Sequence, residues 1–111
     1  MKTPLEAGEQ ILKQGAANLQ RGIETVGGRL YLTNARLVLE AHAFNVQAGT
    51  TIVRLERVTS VRKCWTKFLN LVPLAPSSLA VTTCEGDEHR LVLWGRQAWI
   101  EAIEAQRARR G

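Results

Sequence analysis

"GGRLYLTNARLVLEA", residues 27–41, alternates apolar and polar side chains on both sides of a short polar break. Leu30 and Leu32 take one phase against Arg29, Tyr31 and Thr33. After Thr33-Asn34-Ala35 the chain returns with Leu37, Leu39 and Ala41 in one phase. A period of two puts successive side chains on opposite faces of a strand, so each run predicts one face turned to a core. Asn34 tolerates left-handed backbone angles, which predicts a tight turn between the two strands. Gly27-Gly28 precedes a strand and not a helix, and no Lys-Ser/Thr follows, so the pair reads as a bend or bulge and not as a phosphate loop.

The same pattern spreads outward. "LAVTTC" (79–84), the turn Glu85-Gly86-Asp87 and "EHRLVLW" (88–94) predict a second hairpin. Residues 11–22, 50–55 and 58–65 add three more strands. Gly95 stops the last strand, and the period then changes. In "RQAWIEAIEAQRARR", Ala98, Trp99, Ala102, Ile103 and Gln106 form one stripe, with Glu101, Glu104 and Arg107 opposite. That spacing predicts an amphipathic helix over 96–108, docked by Trp99 as its structural anchor. Strands never alternate with long helices, which argues against a parallel α/β fold. The expectation is one mainly β domain over 1–111. Its seven antiparallel strands form a barrel-like sandwich capped by one C-terminal helix, and residues 1–7 stand as an N-terminal extension.

Composition narrows the function classes. The chain has 111 residues, 45% of them apolar and 23% charged, with a formal charge of +5. Arg107, Arg109 and Arg110 carry three of those charges at the helix end, where cations favour the helix dipole. The remaining +2 is no concentrated basic face, so nucleic acid is not expected as a partner. No apolar run is long enough to span a membrane. The start, MKTPLEAGEQ, is not a secretory signal, so a cytoplasmic protein, at most peripheral to a membrane, is expected. Cys64, Cys84, His42 and His89 show no metal-ligand spacing, and neither histidine has a carboxylate in a catalytic frame. The chain therefore reads as non-catalytic, with no metal and no cofactor.

One stretch resists absorption into the strand pattern. "TKFLNLVPLAPSSL" (66–79) places Phe68, Leu69, Leu71, Val72 and Leu74 within seven positions, followed by prolines and serines. The expectation is that Leu69 and Leu71 or Val72 face the core while Phe68 and Leu74 lie toward the tip as an apolar patch. Arg62, Lys63 and Lys67 flank that patch. The patch suits a protein partner or a second copy of the chain; the alternative is an anionic membrane lipid.

Taken together, "NLQRGIETVGGRLYLTNARLVLEAHAFNVQ", "VRKCW", "LVP", "LAVTT" and "GDEHRLVLWGRQAWIEAI" resemble a GRAM domain of the small stand-alone bacterial type. The best-matching pieces are residues 27–34, His42 to Gln47 and Arg96 to Ile103. The resemblance implies a pleckstrin-homology-like fold and a binding role, toward membrane phosphoinositides or protein partners. Two departures stand out. Leu74 to Ser78 replace an Asn-Gly turn, lengthening the 66–78 connection. Arg21 and Arg29 resemble fragments of an anionic-ligand motif, but Tyr31 stands where its final arginine belongs.

Overall fold

The computed structural model describes residues 1–21, 24–41, 49–64 and 78–110. Seven strands run in chain order: β1 (Ile11–Arg21), β2 (Glu24–Thr33), β3 (Arg36–Ala41), β4 (Thr50–Arg54), β5 (Val58–Cys64), β6 (Ser78–Thr83) and β7 (Glu88–Leu93). Helix α1 (Arg96–Arg110) follows. Every pairing is antiparallel, in the order β4-β3-β2-β1-β7-β6-β5. β1 pairs along its length with β2 and again, through Ala17 to Gln20, with β7. Its eleven residues thus serve both halves of the sheet. β4 and β5 are the two edges, joined by a single 3-10 turn, Leu55–Arg57, and no pairing closes the sheet between them.

Alternation builds the core. Ala17 and Leu19, Leu30 and Leu32, Leu37 and Leu39, Leu79 and Val81, and Leu91 and Leu93 all point into one cluster. α1 seals it, packing on β5, β6 and the 3-10 turn, with Trp99 and Ile103 buried. The helical stripe is offset from the expected one. Ala98 is exposed, while Ile100 packs against the core in its place. With about 100° per residue, an arc centred between Trp99 and Ile103 leaves Ala98 at its rim. The same rotation brings Arg107 to the half-buried side.

The first hairpin departs from one-sided burial. Tyr31, Thr33, Arg36 and Val38 lie on the face away from the core cluster, yet all are buried. The residues before β1 bond back to this hairpin at Thr33, Arg36 and Glu40. Glu40 accepts from the Lys2 and Thr3 amides at 3.0 and 2.6 Å and from the Thr3 hydroxyl at 2.7 Å. Arg36 Nη2 donates to the Pro4 carbonyl at 2.7 Å and to Glu9 Oε1 at 2.9 Å, and Arg36 Nε donates to Glu9 Oε2 at 2.8 Å. Glu9 is 1% exposed in this pair, and Thr33 Oγ1 donates to it at 2.6 Å.

The turn at 33–35 is also made differently from the expectation. No non-glycine residue among those described has a positive φ, so Asn34 does not take left-handed angles. Thr33 Oγ1 accepts from the Ala35 and Arg36 amides at 3.0 Å each. Asn34 instead ties the turn to the entering chain, accepting from the Gln10 amide and donating to the Gly8 carbonyl, each at 3.0 Å. In the second hairpin the glycine does what its position requires: Gly86 has φ 91° between Glu85 and Asp87.

Gly27 and Gly28 are neither a bend nor a bulge. They sit in unbroken register inside β2, and the shifts fall at Ile11/Lys13 and Val58/Ser60. Gly28 is needed because β3 approaches closely: a Cβ there would run into the Glu40 carbonyl. Gly28→Ala is expected to cost about 1–3 kcal/mol, the range for forcing extra atoms into a packed site. Urea unfolding checks it, and a cost near zero would show that the two strands part freely.

Candidate interaction surface

Alternation along β7 turns Leu91 and Leu93 inward and Arg90, Val92 and Trp94 outward. Trp94 is 82% exposed. A tryptophan so bare is costly to leave in water unless a partner covers it. Its place in the sheet is set by register: Cys64 pairs with Ser78, and Ser78 with Val92, two residues before Trp94. The connection 65–77 leaves the sheet at Cys64 and returns at Ser78, so it attaches at the end that carries Trp94. Arg96 clamps this end, with Nη1 donating to the Ser78 carbonyl at 3.1 Å and the Cys64 carbonyl at 3.3 Å.

Phe68, Leu74 and Lys67, the expected tip and one flanking cation, lie outside the described residues, as do Leu69, Leu71, Val72 and His42. The other two flanking cations are placed. Arg62 pairs across Ala80 to Arg90, on the same outward face as Trp94. Consecutive strand residues point oppositely, so Lys63, which is exposed, serves the other face. Arg62 is also not electrostatically idle. Glu88 accepts from Arg62 Nη2 at 2.6 Å and from Arg90 Nε at 2.7 Å, and these arginines hold its carboxyl below the usual range, Arg90 most strongly.

The two anionic-ligand candidates are not brought together. Arg29 stands opposite Ala16, and its Nε donates to Gln14 Oε1 at 3.1 Å. Arg21 stands opposite Glu24, five residues farther along β1 and so about 17 Å away by strand rise. Trp99 lies in the core at 4% exposure, with Lys13 Nζ 5.2 Å from its ring centroid, a cation–π distance. Cys64 is buried, which pushes its thiol pKa up, and Cys84 is exposed. Trp94 is the residue that strand assignment alone passed over; its signal was an aromatic on the outward phase of β7.

The seven-stranded antiparallel sheet with one capping helix is a pleckstrin-homology-like fold. No protein-family model and no curated protein matches the sequence. Solved structures do. The chain is similar to the C-terminal domain of an unknown protein from Leishmania infantum, at TM-score 0.75 and 18% identity over 92% of this chain and 87% of that one. It is similar to the Vps36 N-terminal PH domain, at TM-score 0.66 and 20% identity over 92% and 84%. It also resembles the DH/PH fragment of PDZRHOGEF in complex with human RhoA, at TM-score 0.67 and 14% identity, covering 91% of this chain but 29% of that one. At such identities the likeness establishes the fold alone.

Proposed function

We propose that this chain is a non-catalytic binding module of the GRAM and pleckstrin-homology-like type that engages a protein partner, most simply a second copy of itself. The contact surface is the end of the sheet bearing Trp94, extended by the attached segment 66–78 with Phe68 and Leu74. The exposure of Trp94 carries this reading: a bare indole is characteristic of an interface centre, where aromatic residues dominate the binding energy. A fold shared with PH domains supports a binding role over an enzymatic one. Lipid is the weaker alternative, because Arg62 is already held by Glu88 and faces away from Lys63. On this reading the protein works in the cytoplasm.

Size-exclusion chromatography with light scattering, run beside sedimentation with anionic liposomes, tests it. Trp94→Ala is a surface change and should leave stability within about 0.5 kcal/mol while weakening self-association about tenfold. Leu74→Asp should keep the fold and abolish association. A wild-type chain that is monomeric and ignores liposomes would sink the proposal, as would unfolding of the Leu74→Asp protein, which would make the segment core.

A further inference from the structure

The register of the sheet sets a cation beside Trp94. Leu93 pairs with Ala17, so Trp94 follows on alongside Ala16, and Ala16 pairs in turn with Arg29. All three are exposed, and Val92, two residues before the indole, is half-buried on the same outward face. Arg29 lies two strands from Trp94, about 10 Å by strand spacing, with the small Ala16 side chain between them. An indole, a low floor and a guanidinium thus make a shallow trough across β7, β1 and β2.

Arg29 brings a charge that no described carboxylate takes up. Its Nε donates to Gln14 Oε1 at 3.1 Å, an uncharged partner, and its two terminal nitrogens have no hydrogen-bond partner among the described residues. Glu40 stands opposite Arg29 in register but accepts instead from the Lys2 and Thr3 amides and the Thr3 hydroxyl. On the other flank of the indole, Arg62 and Arg90 share the single carboxylate of Glu88. Three guanidiniums therefore surround the apolar centre, and both carboxylates near them are engaged.

This charge balance narrows the partner. A two-fold pairing of the face with itself would set Arg29 against a surface with no carboxylate to spare, so a second copy would have to offer one from elsewhere on its surface. A bilayer calls for several free cations side by side, and Arg29 is the one guanidinium of this face with no carboxylate bound among the described residues. What fits is an acid presented together with an apolar side chain for the indole. We propose that the partner engaging the Trp94 surface presents an acidic peptide segment, one carboxylate accepting from the terminal nitrogens of Arg29 and a neighbouring apolar side chain packing on Trp94 and Ala16. This rests on the reading of Trp94 as a contact surface and adds the chemistry of what it contacts.

Titration of the whole ¹⁵N-labelled chain with the capped peptide acetyl-Glu-Leu-Glu-Leu-Glu-Leu-amide tests it, beside peptides of the same build with Gln or Lys in place of Glu. Saturable shifts are expected at the Ala16 and Arg29 amides and the Trp94 indole N–H with the acidic peptide. The other two should bind about tenfold or more weakly, the loss of a charge-assisted pair. Arg29→Gln, an exposed change, should lower affinity for the acidic peptide about tenfold with an unchanged circular dichroism spectrum, and Arg29→Lys should recover part of it. The proposal is overturned by an absence of saturable shifts, by equal affinity for the three peptides, or by full affinity in Arg29→Gln. It is equally overturned if phosphatidylglycerol vesicles bind the chain through Arg29 while the acidic peptide does not. Self-association that depends on Trp94 and persists beside any of those results leaves the contact-surface reading standing; a chain that shows neither self-association nor peptide binding loses both.

Discussion

Glu9→Ala is expected to destabilise the domain by about 3–5 kcal/mol, because it leaves the Arg36 guanidinium buried without its carboxylate. Arg36 is 7% exposed in the pair and Glu9 is 1% exposed, so water cannot replace the lost partner. The Pro4 carbonyl would still accept from Arg36, but it carries no charge. Removing both charges together, as in Glu9→Leu with Arg36→Met, should recover most of the loss, since apolar replacement of a buried pair is often close to neutral. Urea denaturation of the single and double variants separates the two cases. A single-variant cost below about 1 kcal/mol would mean that the segment before β1 peels away without consequence.

The same pair sets an acid limit. Hydrogen bonds from Arg36, and then from Thr33, hold the Glu9 carboxyl at about 2 against its ordinary 4.5. The unfolded chain therefore takes up this proton at higher pH than the folded one does. The stabilisation is complete above about pH 4.5 and is lost as pH falls toward 2. In Glu9→Gln the acid side of the stability profile should be visibly flatter across that window. An identical slope in the variant would assign the loss to other carboxylates, such as Glu40, which burial pushes up but which the Lys2 and Thr3 amides hold below its usual value.

Trp99→Ala should cost a further about 3–5 kcal/mol, the usual range for deleting a packed large aromatic. Trp99 is 4% exposed in the cluster to which all seven strands and the 3-10 turn contribute, and its ring lies over Gly15. Without it, α1 retains Ile103 as its one fully buried side chain, too little to hold a cap over the open sheet. A loss under about 1 kcal/mol in urea would show that the helix is not what closes the core. Trp94→Ala is the informative contrast: the same residue type five positions earlier, with no expected cost in stability.

Alternation in residues 27–41 and 79–94 was enough to place two hairpins, and the change of period after Gly95 was enough to place the helix. Hydrophobic phase is a local property, read within a few residues, and burial on the core face follows from it directly. Leu30, Leu32, Leu79, Val81 and Ile103 are inside for that reason alone. The outward phase was not legible in the same way. Tyr31, Thr33, Arg36 and Val38 occupy polar-phase or mixed positions yet are buried, and Thr33 and Arg36 bond there to Pro4 and Glu9, which return to them across 24 to 32 residues of chain. Gly28 looked like a bend because nothing local announces that the Glu40 carbonyl will lie against it. Arg62 read simply as a flanking cation because Glu88, which pairs with it, is 26 residues away. Trp94, Ala16 and Arg29 come together only where β7, β1 and β2 pair. Local pattern determines which side of each strand seeks a core. What covers the other side, and which charges meet there, is decided by chain closure, because long-range contacts leave no periodic trace in the segments that make them.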